Sequence, residues 1–172
     1  MTQYVAFLRA VNVGGTGKLP MAELRAMCES AGFIHVRTYI ASGNVVFESR
    51  LAAASVKRTL EASLEAYAGK PVGVLIRTGA ELAAVLQANP FKSAAPNRTV
   101  AIFLDAQPPA DALAKASGRQ GEDMALGTRE IYVHYGEGMA HSKLKIPAAS
   151  AGTARNMNTV ATLVEWTTAP AD

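Results

Sequence analysis

Apolar positions in this chain recur with two different spacings, and the spacing changes from segment to segment. Tyr4 to Ala10 (YVAFLRA) is a largely apolar run, which predicts a buried central strand. Met21, Leu24, Cys28 and Ala31 then recur at helical spacing. Pro20 suits the first helical turn and Gly32 suits a left-handed cap. From Val36 to Ser42 (VRTYIAS) the pattern alternates, with Val36, Thr38 and Ile40 on one face and Arg37, Tyr39 and Ala41 on the other. Gly43-Asn44 is a turn signal, and Val45-Val46-Phe47 returns as the partner strand. Val56, Leu60, Leu64 and Tyr67 predict a helix over about Ser55–Ala68, closed by Gly69, and Pro71 to Arg77 predicts another buried strand. The order strand, helix, strand, strand, helix, strand is the split βαβ, or ferredoxin-like, arrangement.

The second half is less regular. Thr78 and Glu81 fit a capping box that opens a helix through Leu82, Val85 and Leu86. Asn89-Pro90-Phe91 and the residues to Asn97 read as a loop, Thr99 to Leu104 as a strand, and Pro108 to Lys115 as a short helix start. Glu122 to Leu126 and Glu130 to Tyr135 form a hairpin about Gly127-Thr128, and Met157, Val160, Leu163 and Val164 mark a final helix. The expected fold is α+β: two ferredoxin-like halves packed together, the second degenerate. Residues 1–78 are the first subdomain and residues 79–172 the second, which carries the C-terminal helix.

Composition supports a globular chain, with 49% hydrophobic and 18% charged residues among 172. No apolar run approaches the ~20 residues that span a bilayer, and Met1-Thr-Gln-Tyr-Val shows no charged leader. The expectation is a cytoplasmic protein with no membrane association. Cys28 is the only cysteine, so an internal disulfide and a multi-cysteine metal site are excluded, and its helical spacing assigns it to the core. A net charge of +3 does not by itself point to nucleic acid. Its distribution says more. No Asp or Glu precedes Glu23 and none lies between Glu137 and Glu165, whereas those windows hold Arg9, Lys18, Lys143, Lys145 and Arg155. Brought together, they would make an uncompensated positive surface.

The stretch RAVNVGGTGKLPM sits between a strand and a helix, where phosphates are often held. Aligned on Gly17-Lys18, a Walker loop would need glycine at Asn12 and a hydroxyl at Leu19, and a dinucleotide loop would need glycine at Pro20. Both motifs fail. What remains is a loop of flexible amides with Lys18, suited to a carboxylate or phosphate, or a long turn whose glycines supply unusual torsions. His35, His134 and His141 share no metal spacing. His134 reads as a hydrogen-bonded strand residue, and His141-Ser142-Lys143 is a weak case for a serine nucleophile. Polar residues crowd two places: Tyr39, Ser42 and Asn44 at the hairpin, and Thr153, Arg155, Asn156, Asn158 and Thr159 at the start of the last helix. Capping by Asn156 or Thr153 explains one or two of them.

Four motifs in order, FLRAVNVGG with KLPMAELR, VRTYIASGNVVF, HSKL and TARNMNTV, give a chain that resembles the bacterial family DUF1697, a domain of unknown function. The resemblance runs nearly end to end and implies paired ferredoxin-like subdomains, with no activity attached. It marks Arg9, Asn12, Gly14, Gly15 and Lys18 at the first loop, and Tyr39, Ser42, Gly43 and Asn44 at the hairpin. Near the C-terminus it marks Ser142, Lys143, Arg155, Asn156, Asn158 and Thr159. Met157 stands where many members carry tryptophan, and the stretch between SKL and TARN is short, which removes a helix.

The leading expectation is a domain that binds a small anionic or phosphorylated molecule where the glycine loop, hairpin and C-terminal motif converge. Arg9, Lys18, Lys143 and Arg155 would supply charge, and Asn12, Asn44, Ser142 and Asn156 hydrogen bonds. No cofactor or metal is expected. Single-stranded nucleic acid is the second partner class, though only 6% of residues are aromatic. An enzyme acting on the same anion, with Ser142, Tyr39 or His141 carrying protons, is the third. A structural or interaction protein is the fourth.

Overall fold

The computed structural model describes residues 1–9, 19–39, 43–136 and 142–168. They form an α+β fold with two four-stranded antiparallel sheets. The chain divides into two compact units, Met1–Leu82 with Leu163–Asp172, and Ala83–Thr162.

In the first unit, β1 (Thr2–Leu8), β2 (Ile34–Tyr39), β3 (Asn44–Ser49) and β4 (Val74–Thr78) pair in the order β2-β3-β1-β4. Side chains alternate along a strand, so one face carries Tyr4, Ala6, Leu8, Val36, Val45, Phe47, Val74 and Ile76. Helix α1 (Met21–Ser30) sets Leu24 and Cys28 on that face, and α2 (Ala53–Ala68) sets Val56, Leu60 and Leu64 on it. Phe33 stacks on Phe47 with ring centroids 4.4 Å apart. Each leucine buried this way contributes roughly 1.5–3 kcal/mol. Tyr67, expected on the same side of α2, is 48% exposed in the last turn.

Helix α1 starts one residue beyond Pro20, which is extended and accepts the amides of Glu23 and Leu24 at its carbonyl. It ends when Gly32, at φ +88°, lets Phe33 donate to Cys28 and Gly32 donate to Glu29. On β2, an edge strand, His35 takes φ +53° where the register shifts between Ile34 and Arg37, and it meets Glu48 on β3. Such an irregularity blunts an edge.

In the second unit, β5 (Thr99–Phe103), β6 (Asp123–Leu126), β7 (Glu130–His134) and β8 (Thr153–Asn156) pair as β6-β7-β5-β8. That repeats the first order strand for strand. The cover differs. Hydrogen-bonded turns over 109–116 connect β5 to β6, and a 3-10 turn, Pro147–Ala149, precedes β8. Val100, Ile102, Ile131, Val133 and Ile146 form the core, with Leu113, Ala116 and Leu144 packed on it. The helix start expected at Pro108 stops because Ser117 pairs with Lys145 and Gly118 turns the chain at φ +72°. A Cβ at Gly118 would lie 2.1 Å from the Lys143 carbonyl oxygen, so only glycine fits there.

Two further helices, α3 (Gly79–Gln87) and α4 (Met157–Thr168), contain the boundary between the units. No helix among the described residues is long and apolar enough to cross a membrane.

Candidate functional site

The final strand of each sheet runs into a helix by the same device. In β4, Arg77 pairs across from Val5, is buried, and donates to its neighbour's carbonyl at Ile76, 3.0 Å away. In β8, Arg155 pairs across from Ala101, is buried, and donates to Ala154 O at 2.9 Å and Thr153 Oγ1 at 2.9 Å. The next residue caps the helix in both cases. Thr78 Oγ1 accepts the Glu81 amide at 3.1 Å while Glu81 accepts the Thr78 amide at 2.8 Å, which is the expected capping box. Asn156 Oδ1 accepts the Thr159 amide at 2.9 Å. Arg155 therefore belongs to a strand rather than to the first helical turn. Burial alone lowers its guanidinium to about 10.

Beside the start of α4 lies a pocket of about 410 Å³, entirely within the second unit. Its walls are Leu86 and Gln87 from α3, Asn89, Lys92 and Pro96 from the following loop, and Met157, Asn158 and Ala161 from α4. The loop is held by Asn89 Oδ1, which accepts the Phe91 amide at 3.0 Å, and by Thr99 Oγ1, which donates to Ala95 O at 3.1 Å. Thr99 also meets His134 Nδ1 at 3.0 Å, and Phe91 packs on the His134 ring with centroids 6.2 Å apart. His134 is thus the hydrogen-bonded strand histidine that its alternation implied. No carboxylate lines the pocket. Both chain segments that build it, residues 82–104 and 138–164, contain no Asp or Glu. The second lies within one of the two acid-free windows noted above.

The remaining motif residues fall in the two units. Asn12, Gly14, Gly15, Lys18, Ser42 and His141 lie outside the described residues. In the first unit, Arg9, Tyr39 and Asn44 gather at one end of the sheet. Arg9 donates its amide to Gly73 O at 2.9 Å, and Leu8 donates to Gly43 O at 2.9 Å. Buried Asn44 donates from Nδ2 to Tyr39 O at 3.1 Å. Tyr39 meets Trp166 edge-on at 5.2 Å, and the Arg37 guanidinium lies 3.7 Å over the same indole.

Ser142 in the second unit donates to buried Glu122 at 2.5 Å and accepts the Leu144 amide at 3.2 Å. The Ser142 hydroxyl, the backbone amide of Gln120 and the nearby Arg119 hold the Glu122 carboxyl below its ordinary range, against the effect of burial. Exposed Lys143 contributes the carbonyl that covers Gly118. Cys28 is buried, and loss of hydration followed by the Glu29 charge pushes its thiol to about 12, far from a reactive thiolate.

Sequence reasoning missed Lys92, Gln87, Asn89 and Glu122. The signal for Lys92 was available: it is the only charged residue between Glu81 and Arg98.

Two sheets of equal strand order, each ending in an arginine, a cap and a helix, define a duplicated ferredoxin-like α+β protein. The family model described as "Protein of unknown function (DUF1697)" matches residues 1–132, and the chain belongs to that family. It is similar to the solved structure of the conserved bacterial protein SP0830 from Streptococcus pneumoniae. The TM-score is 0.79 at 26% identity, over 95% of this chain and 97% of that one. No curated protein matches it.

Proposed function

We propose that this is a cytoplasmic protein that binds a small anionic or phosphorylated molecule, with the C-terminal motif as part of the basic site. The observation that carries the reading is convergence in the second unit. Lys92, Gln87 and Asn158 line one pocket, make no hydrogen bond or ion pair through their side chains among the described residues, and face no carboxylate. A cation with amide donors in an acid-free concavity suits a negatively charged group. In this reading Lys143 and Arg155 add to the positive field of the second unit.

The test is a titration of the intact chain with phosphate, pyrophosphate and small carboxylates, followed by calorimetry and by the rise in Tm. At least one anion should bind with a Kd at or below about 1 mM, a free energy of about −4 kcal/mol. Lys92→Gln should weaken it at least tenfold. Absence of binding by every anion, or unchanged affinity in Lys92→Gln, overturns the assignment to this pocket.

A further inference from the structure

The pocket that carries the functional reading also constrains the shape of its ligand, and the inference here rests on that reading. We propose that the anion bears an apolar body: an aryl or compact alkyl phosphate or carboxylate, rather than a bare oxyanion or a polyphosphate. Charge is the first argument. The lining offers one cation, Lys92, with amides at Gln87, Asn89 and Asn158. One lysine and neutral donors match a single anionic head, whereas a polyphosphate demands several cations or a metal.

The second argument is the apolar part of the lining. Met157 is buried, Leu86 and Ala161 are half-buried, and Pro96 adds to the same apolar surface. An inorganic ion would leave that surface wet and unused. A ring or short alkyl group would remove it from water, and burial of apolar area is the main source of affinity in small-molecule sites. Volume is the third. A cavity of roughly 150 Å³ accepts one benzene, and this pocket measures about 410 Å³. A six-carbon body, its charged head and a few waters fit within it.

The experiment compares phenyl phosphate, inorganic phosphate and phenol by calorimetry on the full chain and on two variants. Phenyl phosphate is expected to bind at least tenfold more tightly than inorganic phosphate, with phenol weaker than both. Ala161→Leu fills the apolar wall with a good helix former, and should bring phenyl phosphate down to the level of inorganic phosphate without lowering the ligand-free Tm. Lys92→Gln should weaken both phosphates alike. Equal binding of the two phosphates overturns the apolar body and leaves the anion reading in place. Phenol binding as well as phenyl phosphate overturns both, as does no binding by any probe. Unchanged phenyl phosphate binding in a folded Ala161→Leu variant also overturns the inference.

Discussion

In the first unit, α1 and α2 lay Leu24, Cys28, Val56, Leu60 and Leu64 over one face of the sheet. In the second, the equivalent face is covered by Leu113, Ala116, Leu144 and Ile146 from short segments. Helices satisfy their own backbone groups internally, so apolar contact alone can hold them down. Short segments must find partners elsewhere. Here Ser117 exchanges hydrogen bonds with Lys145, Ser142 reaches Glu122, and Arg119 Nε donates to Glu122 O at 2.6 Å. The two units thus share a sheet and differ in what secures its cover: apolar area in one, a few specific polar contacts and a glycine in the other. A cover of the second kind tolerates single changes poorly.

The sharpest break is expected from two glycine substitutions. Gly118→Ala drives a methyl group into the Lys143 carbonyl, and should lower stability by more than about 4 kcal/mol, the range of exceptional point changes. Gly69→Ala caps α2 at φ +74° with open space around the Cβ, and should lose only about 1–2 kcal/mol. Urea unfolding of both variants decides it; equal losses would mean that the second unit is no more constrained than the first. Next in size is a pair of core truncations. Leu60→Ala, on the face of α2 that covers the first sheet, should lose about 4 kcal/mol, and Ile146→Ala, at the thin cover, about 2 kcal/mol. A reversed order in the same assay would show that the short segments pack as firmly as the helices.

The smallest effect is on pH dependence. The folded-state value of Glu122 lies below its unfolded value, chiefly through the Ser142 hydrogen bond. The stabilisation is therefore complete above the unfolded carboxylate value of about 4.3, and is lost as pH falls through the lower folded value. Ser142→Ala should be less stable than the parent near neutrality, with the gap closing in acid. Parallel denaturation profiles between about pH 7 and pH 3 would remove Glu122 as the acid-sensitive tie.

Much of the fold was legible because its signals are local. Alternation at Val36–Tyr39, helical spacing from Val56 to Leu64, and the Thr78–Glu81 box each specify an element without reference to the rest of the chain. The helix start at Pro108 misled because a distant pairing, Ser117 with Lys145, ends the run after a few turns. The correspondence of Arg77 with Arg155 was hidden because their cross-strand neighbours, Val5 and Ala101, differ in size, and Thr78 and Asn156 cap with different chemistry. Of the pocket, the TARNMNTV motif carried Asn158. Lys92 sits in an aperiodic loop where no repeat draws attention to it.

The Arg37–Trp166 stack has a practical consequence. Trp166 is the only tryptophan in the chain, it belongs to the first unit, and it is not among the residues that line the pocket. Its fluorescence is therefore a clean optical channel for the environment of that one indole.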